Sequence, residues 1–223
     1  VICNMKLYKK GHTQVALSFG GGGTGSKFCW DKQCKYEHDK GTLQNNIIMN
    51  CNDVGIYINK SHNINIINNT LYNTMGIDIR FPESNAIVIS NLLNGDIHNR
   101  NLATSKQITN HITNSIEDFD NWFNNPQLAN FLLLDKAEYL LPNVLTQTRD
   151  DSCSQIIKNK QRKVGATIQS PNQHCQQLLN QKLKPLIIKF DEKQNQIFKK
   201  YKKEQALKKK EAKLKQQITL CKT

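Results

Sequence analysis

An all-β solenoid of short stacked strands, a parallel β-helix, is the fold this sequence predicts, and three observations between Gly41 and His98 predict it. The first is a repeat: Asn46-Ile47-Ile48-Met49-Asn50, Asn69-Thr70-Leu71-Tyr72-Asn73 and Asn91-Leu92-Leu93-Asn94-Gly95 begin with asparagines 23 and then 22 residues apart. The second is a set of glycine-led runs, Gly55-Ile56-Tyr57-Ile58, Gly76-Ile77-Asp78-Ile79 and Gly95-Asp96-Ile97-His98, whose alternation of isoleucine and polar residues suits a half-buried strand. The third is the size of the unit. About 22 residues with two or three short strands, Asn/Gly turns and no helix is too short for a propeller blade and lacks the leucine-rich pattern.

In such a coil equivalent side chains stack about 4.8 Å apart along the axis. Asparagine suits the bends, because its short amide tolerates the left-handed backbone conformation and bonds its copies above and below. Residues 1–19 read as one more coil, with Val1-Ile2-Cys3-Asn4-Met5 in the place of the apolar run and Val15-Ala16-Leu17-Ser18-Phe19 as the next strand. Gly20 to Lys40 breaks the period and is expected to loop out of one corner. Gly20, Gly22 and Gly25 match G-x-G-x-x-G, but no helix-forming run follows, and Gly25-Ser26-Lys27 has the wrong order for a phosphate loop; the glycines read as a flexible stem.

Beyond Gly95 the pattern weakens through Gln107-Ile108-Thr109-Asn110-His111-Ile112, a last degenerate coil. Trp122, Phe123, Phe131, Leu132, Leu133, Leu134, Leu140 and Leu141 then gather apolar bulk where a solenoid needs its open end covered. The expected organisation is coils over 1–115 with the insertion at 20–40, a capping segment over 116–175, and a lysine-rich helical tail over 176–223. Among seven cysteines, Cys29 with Cys34 and Cys153 with Cys175 are plausible local bridges, while Cys3, Cys51 and Cys221 have no obvious mates. No C-x-x-C pair supports a metal site.

The 223 residues carry a formal charge of +13. From Lys182 onward 14 lysines face four acidic residues, a net of +10, so the body is nearly neutral and the basicity belongs to the tail. Such a tail is expected to be solvated and to contact polyanions non-specifically. No stretch is apolar enough to cross a membrane. A start at Val1, without a signal-peptide pattern, reads as the C-terminal part of a longer protein.

Asn63-Ile64-Asn65-Ile66-Ile67-Asn68-Asn69-Thr70-Leu71-Tyr72 resembles the coil consensus of secreted right-handed parallel β-helix proteins of the pectate-lyase-like superfamily. Asp150-Asp151-Ser152-Cys153 with Arg162 and Gly165-Ala166 resembles their closing segment. The resemblance implies a secreted, periplasmic or cell-surface protein of bacterial type. The alternation that buries Ile56, Ile58, Ile77 and Ile79 turns Tyr57, Asn59, Asp78 and Arg80 outward on one strip, with Lys60, His98 and Arg100 beside it, the kind of surface on which these proteins hold acidic polysaccharide. Asn59-Lys60-Ser61 followed by Arg80 is similar to the chondroitinase B and alginate lyase type of polysaccharide lyase. That similarity implies Lys60 as the base and Arg80 as the acid or charge stabiliser of a β-elimination. Where the family has two acidic calcium ligands this chain has Asp53 and Gly55, so no cofactor is expected. The alternative is a non-catalytic structural or adhesive solenoid.

Overall fold

A computed structural model describes residues 1–3, 13–21, 27, 32–145, 161–166 and 192. The lysine-rich tail, apart from Glu192, and Cys29, Cys153, Cys175, Gly22 and Gly25 lie outside the described residues.

Three parallel four-stranded sheets wind into stacked coils. The first sheet holds Leu17–Phe19, Ile56–Asn59, Gly76–Arg80 and Asp96–Arg100. The second holds Thr42–Gln44, Ile64–Ile67, Asn85–Ile89 and Thr104–Ile108. The third holds Ile47–Met49, Thr70–Tyr72, Leu92–Asn94 and His111–Thr113. The two sequence repeats are thus the third and first sheets. Val1–Cys3 continues the third sheet as the expected earlier coil, with Ile2 bridging Met49 in parallel.

Inside the coils, Ile48, Leu71 and Leu93 stack from the third sheet, Ile56, Ile58, Ile77 and Ile79 from the first, and Ile64, Ile66 and Val88 from the second. Each of these is fully excluded from solvent, and burying such a side chain stabilises by about 1.5–3 kcal/mol. The third glycine run sits one residue out of the expected alignment. Ile97 pairs with Ile77, so Asp96, and not Gly95, stands beside Gly76.

The asparagine ladder forms as expected. The backbone N–H of Asn46 donates to Oδ1 of Asn69 at 3.0 Å, that of Asn69 to Asn91 at 2.9 Å and that of Asn91 to Asn110 at 3.0 Å. The amides add Asn69 Nδ2 to Leu43 O at 3.0 Å and Asn91 Nδ2 to Ile66 O at 2.9 Å. The two duties assigned to one asparagine are divided, however. The left-handed conformation falls on Asn45, Asn68, Ser90 and Thr109, each immediately before a ladder residue. A second ladder at the next bend joins Asn73 Nδ2 to Asn50 Oδ1 at 2.8 Å.

The apolar segment after residue 115 is placed differently from expectation. Its described residues lie on the outer flank of the third sheet and leave the end of the solenoid open. Phe119, Trp122, Phe123, Phe131, Ala137, Leu141 and Val164 pack with the outward-facing Met49, Tyr72 and Leu92. Edge-to-face contacts join Tyr72 to Phe119 and Phe131, with ring centroids 5.2 and 5.9 Å apart. His111 meets Trp122 in the same way at 5.3 Å. Gly165 docks this cover on the coils. Its N–H donates to Ser90 O at 2.8 Å, its φ is +86°, and a Cβ there would lie 2.6 Å from Leu92 Cβ and Thr70 Oγ1, so only glycine fits.

Cysteine pairing also departs from the expectation. Cys3 and Cys51, left without mates by sequence proximity, are bridged, with Cα atoms 4.8 Å apart. Coil stacking brings them together across 48 residues, which a reading based on short spacings misses. Cys34 is disulfide-bonded as well. No helix among the described residues is long and apolar enough to cross a membrane.

Candidate functional site

The outer face of the first sheet carries the expected strip in two rungs. Tyr57 pairs with Asp78 and Asp78 with His98; Asn59 pairs with Arg80 and Arg80 with Arg100. Six of the seven predicted site residues therefore stand in two straight rows, and their common face follows from the burial of isoleucine on the other. Asp78 departs from the simple picture, because it faces outward yet is only 2% exposed. Arg100 covers it with two hydrogen bonds, Nε to Oδ1 at 2.8 Å and Nη2 to Oδ2. That pairing, ahead of a smaller opposing effect of burial, raises the Arg100 pKa above its ordinary value.

Arg80 is left with spare capacity. Its Nε lies 3.9 Å from Asp78 Oδ2, too far for a hydrogen bond, and its side chain stays 35% exposed. The Arg80 guanidinium also lies 5.9 Å from the centre of the Phe81 ring. Tyr57 begins the other rung, its hydroxyl accepting from Asn59 Nδ2 at 2.8 Å.

Lys60 does not lie on the strip's strands. It occupies the bend toward the second sheet with a φ of 45°, and its carbonyl accepts from Glu37 N–H at 2.7 Å. The inserted loop thus returns along this corner. His38–Asp39 pairs in parallel with Ser61–His62. Tyr36 stacks on His62 at 4.7 Å and Phe19 on His38 at 4.4 Å. His62 Nδ1 lies 3.1 Å from Asp39 Oδ1. The glycine stem is packed tightly at its start, since a Cβ on Gly20, whose φ is +72°, would lie 2.0 Å from Asn59 O.

Gly55 bears on the calcium question. A side chain there would enter the coil, its Cβ 2.9 Å from Leu71 Cδ2 and 3.2 Å from Ile48 Cγ2, so this position cannot present a carboxylate outward. Among the described residues no three His, Cys, Asp or Glu side chains group as metal ligands.

A surface that the sequence reading missed lies round the corner, on the outer face of the second sheet. A cavity of about 530 Å³ there is lined by Asn63, Asn65, Asn85, Ile87, Thr104 and Lys106 among others. The signal was present in the alternation of Asn63-Ile64-Asn65-Ile66, whose outward asparagines were read only as coil consensus.

Fold and site together define a parallel β-solenoid of four coils with one face charged and another covered by aromatic residues. No protein-family model, curated protein or solved structure matches the chain.

Proposed function

We propose that this solenoid binds an extended acidic polysaccharide along the outer strip of its first sheet, as a secreted or cell-surface protein of the pectate-lyase-like kind. The observation that carries the reading is Arg80, which stands in one row with Asn59 and Arg100 on adjacent coils, is 35% exposed and lies too far from Asp78 to hydrogen-bond it. A guanidinium fork matches a carboxylate in two places at once, and each unit of a uronate chain carries one. In the catalytic form of this reading, Lys60 takes the proton next to the carboxylate and Arg80 stabilises the charge that develops.

A specific observation favours the non-catalytic alternative, an adhesive solenoid. Arg100 spends both of its bonds on Asp78, and Lys60 is set at a corner whose backbone the loop holds. Binding therefore needs only Arg80, Tyr57 and Asn59, whereas elimination also needs the Lys60 ammonium to reach over from the bend. Titration of the full chain with pectate, alginate and chondroitin sulfate separates these outcomes. Binding that weakens with salt and with Arg80→Ala, without release of unsaturated uronate, supports the adhesive form; unsaturated product lost in Lys60→Ala supports the lyase. Failure to bind any of the three at low salt overturns the reading.

A further inference from the structure

We propose that the open edge of the last coil pairs antiparallel with the same edge of a second copy, joining two solenoids end to end about a two-fold axis through His98. Asp96–Arg100, Thr104–Ile108 and His111–Thr113 are terminal in their three sheets, so among the described residues the outer backbone edge of every side of this coil is unpaired. The described residues of the aromatic cover pack on the flank of the third sheet. Such an edge is a template for another strand.

The sequence of the edge strand selects the occupant. In Asp96-Ile97-His98-Asn99-Arg100 the two charges are of opposite sign and equidistant from His98. Antiparallel self-pairing centred on His98 places each Asp96 opposite the partner copy's arginine at the equivalent of position 100. It therefore makes two opposite-charge cross-strand pairs on one face, each of the kind that stabilises a sheet. A parallel pairing with the strand in register would instead oppose like charges. The side chains are available: Asp96 is 62% and His98 55% exposed, and Arg100 50% even while bonded to Asp78. Two apolar side chains stand at the rim: Leu102, at the bend just past the strand, is 83% exposed and Ile112 41%. An isologous contact of this kind closes after two copies and leaves no open filament. It stands apart from the polysaccharide reading and does not rest on it.

Sedimentation of the full chain over a range of concentrations tests the inference together with a positional cross-link. The expected result is a dimer that Asp96→Lys and Leu102→Lys each shift to monomer, with the far-UV spectrum unchanged because neither side chain packs into the coil, and with a melting temperature that no longer depends on concentration. His98→Cys should give a disulfide-linked dimer under mild oxidation, since opposed residues across the axis are neighbours, whereas Asp96→Cys, which faces position 100 of the copy, should not. A chain that remains monomeric at all concentrations, a dimer that survives both lysine variants, or cross-linking of Asp96→Cys in preference to His98→Cys would each overturn it.

Discussion

The first and third sheets are made from the same coils, yet one presents a charged strip and the other disappears under aromatic rings. At outward positions the third sheet has Met49, Tyr72 and Leu92, and Phe119, Trp122 and Phe131 pack against them. At the matching positions the first sheet has Tyr57, Asp78 and His98, and the described part of the flanking segment leaves it open. The interior is alike on both sides, a stack of isoleucine and leucine. What separates the charged face from the covered one is therefore one residue in two along each strand, chosen independently of the core.

Breaking what the faces share should have the largest effect. Asn69 is fully buried, and Asn69→Ala would orphan the N–H of Asn46 and remove a hydrogen bond to the carbonyl of Leu43. At about 1–3 kcal/mol for the unsatisfied N–H and about 1 kcal/mol for the lost hydrogen bond, a loss of roughly 2–4 kcal/mol is expected in chemical denaturation. Because the ladder runs through every coil, both sheets should lose protection from hydrogen exchange together. A loss confined to the third sheet would show that the faces are separately stable.

Changing only the covered face should be milder and local. Phe131→Leu removes part of a ring that is fully excluded from solvent, for roughly 1–2 kcal/mol at about 0.8 kcal/mol per buried methylene-sized group. Exchange should quicken in the flanking segment while the isoleucine stack keeps its protection.

Titration sharpens the same contrast, since two groups of the covered face are shifted by burial. Tyr72 is pushed up to about 12, by burial first and then by Asp120 and Glu117. The folded state resists its ionisation, so stability is present below the ordinary tyrosine pKa of about 10 and is lost as pH rises toward 12. One tyrosinate transition near 12 in an ultraviolet titration, absent from Tyr72→Phe, is the expected signature. His111 is lowered by burial, partly opposed by Asp118. Its folded form resists protonation, so stability is lost as pH falls through the unfolded histidine value of about 6.5. His111→Gln should flatten the dependence of melting temperature on pH in that window.

The smallest effect on stability belongs to the charged face. Arg80→Ala removes a side chain that is 35% exposed, and surface changes of this kind stay within about 0.5 kcal/mol. The same variant should nevertheless show the greatest loss of salt-sensitive binding to pectate or alginate. A variant that binds normally would assign recognition to the cavity beside Asn65 and Lys106 instead.

Much of the architecture was legible because solenoid coils repeat local patterns. The 23- and 22-residue spacing became the Asn46, Asn69 and Asn91 ladder, and alternation around Ile56 and Ile77 located the core and the strip. The third glycine misled by one residue, since Gly95 copies Gly76 in sequence while Ile97 holds the register. The alternation that turns Asp78 outward did not show that Arg100 reaches one coil back to bury it.

The sequence by itself determined the stacked coils, their buried isoleucines, the asparagine bends and the outward strip, because each follows from periods of two and about 22 residues that neighbouring chain enforces. Only the tertiary structure decided that the described aromatic residues cover a flank of the third sheet, that Cys3 joins Cys51, that Lys60 sits at a corner tied to the loop, and that Asp78 is sequestered. These are contacts between positions whose separation in sequence carries no period, and they are settled by which surfaces the coils bring within reach.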